Sequence, residues 1–88
     1  MDKFDDSQSA IAVNWIRSLY NTLERYRRTS MAAHGRLLPA VHHYAKSVNV
    51  IASQIAENNP GDPEVARWIR KLQEMTEQHG LFDDQSTD

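Results

Sequence analysis

Four histidines, His34, His42, His43 and His79, are the side chains in this sequence best suited to hold a metal ion or to move protons near neutral pH. Their spacing argues against a shared ion. A helix turns by about 100° per residue, so the adjacent His42 and His43 diverge, and no two histidines stand four apart as a pair on one helix face requires. No acidic residue completes a recognisable ligand motif, so neither a metal nor any other cofactor is expected. The chain has no cysteine, which removes disulfides, thiolate metal sites, iron–sulfur clusters and thiol nucleophiles together. It also lacks a nucleophile beside a base, a phosphate-cradling glycine loop and a carboxylate pair spaced across a cleft. An enzyme with a small-molecule substrate is not expected.

The arginines form a second constellation. Arg25, Tyr26, Arg27 and Arg28, with Arg36 nearby, make the one basic cluster, and an aromatic among basic residues suits RNA or a phosphate surface. The whole chain carries a net charge of −2, whereas DNA-binding domains usually carry a basic excess because phosphate neutralisation supplies most of their affinity. Positive charge at a helix C-terminus is also accounted for by the helix dipole. A nucleic-acid-binding regulator using Arg25, Arg27, Arg28 and Arg36 is therefore the alternative functional reading. Arg27-Arg28-Thr29-Ser30 further has the pattern of a basophilic kinase site, and a phosphate on Ser30 would sit well at a helix N-terminus.

His34-Gly35-Arg36-Leu37-Leu38-Pro39 resembles the phosphoacceptor box of histidine-kinase dimerisation domains, a His followed five residues later by a helix-bending Pro on the first of two antiparallel helices. The resemblance covers these residues and, loosely, the hairpin after them, and it implies an exposed, phosphorylatable His34. The chain departs from it at Gly35 and Leu38, where that family has an acidic residue and usually Asn or Thr. Helical projection turns His34 toward an apolar stripe instead, which reads as a histidine at the edge of a core.

Positioning any of these residues falls to a small set of helices. Eighty-eight residues make a single core, and 40% apolar with 25% charged residues are near globular averages. The spacing predicts an all-α three-helix bundle with helices over about 7–28, 38–58 and 63–79 and a short helical turn over 30–36. The first helix is expected to start near Asp5 to Ser7 and to carry Ile11, Ala12, Trp15, Ile16, Leu19, Leu23 and Tyr26 at three and four residue steps. The second carries Val41, Tyr44, Ala45, Val48, Ile51, Ala52 and Ile55, with Pro39 at its first turn or at a bend. Asn58-Asn59-Pro60-Gly61-Asp62-Pro63 is the clearest punctuation, with Asp62 as N-cap and Pro63 as first residue of the third helix. Gly80 ends that helix and lets Leu81 fold back on Met75. Residues 1–82 are expected to form one domain and 83–88 a disordered acidic tail.

Function is expected to lie in a surface. The apolar arc of the first helix spans about 200° of its circumference on a helical projection, against about 120 to 140° for the other two, so one groove cannot cover it. Either the first helix sits centrally and contacts both others, or its edge at Val13 and Tyr20, with Trp15, is a protein interface with a second copy or with another protein, and the interface is the expectation carried forward. A core this small is marginal alone, which also favours self-association. The expectation is thus a regulatory, adaptor or inhibitor module, homodimeric and acting through protein contacts. Apolar runs such as Ile11 to Val13 and Val50 to Ala52 fall far short of the roughly 20 residues of a membrane span. The acidic N-terminal residues do not have the pattern of a secretory signal, so a cytoplasmic location is expected.

Overall fold

Three glycines in the left-handed region mark the turns that follow the helices of this chain. The computed structural model describes the backbone of residues 2–82 and the side chains of residues 8–82. The expected acidic tail, 83–88, lies outside the described residues. Three helices follow in order, α1 (Asp2–His34), α2 (Pro39–Asn58) and α3 (Pro63–Gln78), and there is no strand among the described residues. They form an all-α three-helix bundle.

The first stop is Gly35, at φ 70°, whose amide donates to the Met31 carbonyl at 2.9 Å as a left-handed cap. α1 therefore runs unbroken through Thr29 and Ser30 to His34, and the separate helical turn expected over 30–36 does not exist. Its other end also differs from expectation, since the helix is already formed at Asp2, ahead of Asp5 to Ser7. The bend falls at Gly35 to Leu38 instead. Leu38 is extended, at φ −77° and ψ 156°, as a residue before proline must be, and Pro39 opens α2 where its missing amide costs nothing.

Ser30 ties this corner together. It is buried on α1, its hydroxyl donates to the Arg36 carbonyl at 2.6 Å, and it accepts the Leu38 amide at 2.9 Å. Leu38 has no side-chain oxygen with which to cap α2, so the serine of the neighbouring helix completes the turn. The expected kinase site is corrected by the same contacts. Ser30 is not at a helix N-terminus, and a phosphate there would break both bonds and enter the core.

Gly61, at φ 78°, turns the chain after α2. Asp62 then accepts the amides of Glu64 and Val65 at 3.0 and 3.3 Å, and Pro63 begins α3. At the far end Gly80 has φ 64°, its amide donates to Glu77 and that of Leu81 donates to Thr76 at 2.8 Å. These two bonds make a Schellman motif, and the residue it turns inward, Leu81, is fully buried.

The bundle measures 52 × 22 × 17 Å. At about 1.5 Å per residue α1 alone is roughly 50 Å long and α3 roughly 24 Å, so the third helix shields only about half of the first. The main core gathers Leu23 of α1, Val41, Ala45, Val48 and Ala52 of α2, Leu72 and Met75 of α3, and Leu81. Ala45 and Ala52 sit inside it, where small side chains allow the helix backbones to approach. A smaller cluster of Ala12, Ile16 and Val65 closes the α1–α3 seam at the other end. Each helix touches the other two, and α1 has the more extensive contacts with both of its neighbours.

Candidate functional site

Position around α1 decides which of its apolar residues remain free. Ala12, Ile16, Leu23 and Ser30 are buried and mark the core-facing line. On the projection Val13 and Tyr20 flank this line on one side and Ile11 and Trp15 on the other.

The structure places Val13 and Tyr20 against α3, inside the bundle, where the interface expectation had put them outward. Val13 is half-buried beside the Ala12, Ile16 and Val65 cluster. Tyr20 is half-buried and meets Trp68 edge to face, with ring centroids 5.8 Å apart and planes at 77°. Lys71 Nζ lies 4.6 Å from the Trp68 centroid, which completes a small cation–π stack along the same seam. A helical wheel shows the width of an apolar arc but not which flank the next helix will occupy, and α3 takes this one.

Trp15 is on the free flank and is 59% exposed. Beside it Ile11 is 56% exposed, and across from it on α2 Ile51 is 38% exposed. These three, with Gln8, Ala12, Ile55, Asn58 and Asn59, line a groove of about 450 Å³ between the two helices. None of the eight residues is charged, in a chain of which a quarter is. The Asn59 side chain donates to the Ile55 carbonyl at 2.8 Å and so fixes the floor of the groove near the end of α2. Ile11, Ile51 and Ile55, which belong to the apolar stripes expected for α1 and α2, line this groove. Their signal was their place at the edges of the two stripes, visible only once the facing helix was known.

The basic cluster is partly neutralised. Arg27 Nη2 and Nε donate to the Glu24 carboxylate at 2.7 and 3.2 Å, and Arg28 Nε donates to it at 3.1 Å. Arg27 holds the Glu24 carboxyl below its usual range, chiefly through its hydrogen bonds, against an opposing effect of burial and with help from Arg28. Arg25 and Arg36 are exposed, but Arg25 projects about 160° from Arg27 around α1. The four guanidiniums do not converge on one surface, and two of them share a carboxylate.

The histidines also separate. His34 is exposed at the last position of α1, not at the edge of the core, and Pro39 starts a different helix. The resemblance to a phosphoacceptor box therefore stops at exposure, because one helix bent by proline is absent here. His42 is half-buried, with Nδ1 2.6 Å from the Leu81 carbonyl. The carbonyl can only accept, so Nδ1 carries the proton. His43 is exposed, and His79 is the C-cap residue of α3. Among the described residues no group of three or more His, Asp or Glu side chains is placed to hold a metal ion.

A second apolar groove, of about 380 Å³, lies at the hairpin tip between Tyr26, Ala33, His34, Leu38, Ala40 and Val41. Tyr26 and Tyr44 pack edge to face there at 5.0 Å. No described helix is long and apolar enough to cross a membrane.

The chain matches no family model, no curated protein and no solved structure.

Proposed function

We propose that this chain is a small protein–protein interaction module, regulatory, adaptor or inhibitor in type and without catalysis of its own, and that it acts through the groove between α1 and α2. The observation that carries this reading is the exposure of Trp15, Ile11 and Ile51 around one uncharged hollow. Large apolar side chains scattered singly over a surface need no explanation, but a contiguous patch beside a groove marks a contact site. Tryptophan is also the residue type most enriched among those that dominate binding energy. Among the described residues the groove offers no charged group with which to orient a substrate, which favours recognition by shape and apolar contact.

Affinity capture tests this with two tagged baits, the wild type and Trp15→Lys. Because Trp15 is mostly exposed, the variant keeps its fold. The wild-type bait retains a protein, another copy or a different chain, that the variant loses. Equal retention by both baits, or a salt-dependent capture of nucleic acid abolished by Arg25→Ala and Arg36→Ala, would overturn the proposal.

A further inference from the structure

We draw no further inference here: the strongest candidate, the apolar groove between α1 and α2 lined by Ile11, Trp15, Ile51 and Ile55, carries none because nothing in the structure shows what covers it.

Discussion

Removing the hydroxyl oxygen of Ser30 should measurably destabilise this protein. Ser30→Ala takes away the acceptor of the Leu38 amide and the donor to the Arg36 carbonyl, at 2.9 and 2.6 Å. Arg36 is exposed and its carbonyl can turn to water, but Leu38 is half-buried and its amide is left with poorer partners. Each lost hydrogen bond costs about 1 kcal/mol net, so the pair is worth about 2 kcal/mol. Alanine returns about 0.5 kcal/mol through its higher helix propensity. The expected loss is therefore about 1.5 kcal/mol, which in a domain this small lowers the melting temperature by about 6 to 12 °C. Thermal and urea unfolding followed by circular dichroism measure it, with Thr29→Ala as the control, since Thr29 is exposed and its substitution should stay within about 0.5 kcal/mol. A Ser30→Ala variant melting within about 2 °C of the wild type would refute the role assigned to this hydroxyl in joining α1 to the start of α2.

Three further outcomes follow from the packing. Val13→Lys should destabilise the folded chain by about 1 to 3 kcal/mol by forcing a charge toward the α1–α3 seam, moderated if the lysine stem reaches solvent, while Ile11→Lys should change unfolding by less than about 0.5 kcal/mol. Comparing their urea midpoints checks the assignment of the two flanks. Leu81→Ala should cost about 2 to 5 kcal/mol, because a fully buried leucine beyond the end of α3 leaves a cavity among Leu72, Met75 and Val41, and a loss under about 1 kcal/mol would show that Leu81 does not belong to the core. The Asp62 carboxyl is held below its ordinary value by the Ser9 hydroxyl first, against an opposing effect of desolvation, and by the Val65 and Glu64 amides. A depressed folded value means stability that is complete above the unfolded value and disappears as pH falls through the folded one. Asp62→Ala should accordingly melt lower than the wild type at neutral pH, with the gap narrowing once pH drops below the ordinary carboxylate range, and a gap independent of pH would contradict the cap.

The parts of the fold legible in the sequence are those with local punctuation. Pro39, the Asn59 to Pro63 turn and Gly80 act within a few residues of themselves, and α2 and α3 run as their spacing predicts, Pro39–Asn58 against 38–58 and Pro63–Gln78 against 63–79. Ser30 was legible in chemistry but not in reach. Its hydroxyl does complete a helix start, but eight residues away and from inside another helix, and a local reading therefore broke α1 at the residue that closes the corner. Gly35 was the true stop. The width of the α1 arc corresponds to apolar area that stays exposed, at Ile11 and Trp15. Val13 and Tyr20 were misplaced because the flank taken by α3 depends on how the Gly61 to Asp62 turn directs the chain, a non-local outcome that helical projection does not contain. His42 is similar, since its partner, the Leu81 carbonyl, reaches it only after α3 has crossed the bundle.

The central claim, that the groove between α1 and α2 is where this protein meets its partner, is tested most directly by amide spectra of isotopically labelled wild type, recorded through a dilution series and on addition of the captured partner. The account predicts shifts, with concentration or with the partner, centred on Gln8 to Trp15 and on Ile51 to Asn59, together with a change at the Trp15 indole N–H and little change at that of Trp68. Shifts centred instead on the Arg25 to Arg36 corner or along α3, or spectra that do not change with concentration and do not respond at the groove to the captured partner, would contradict it.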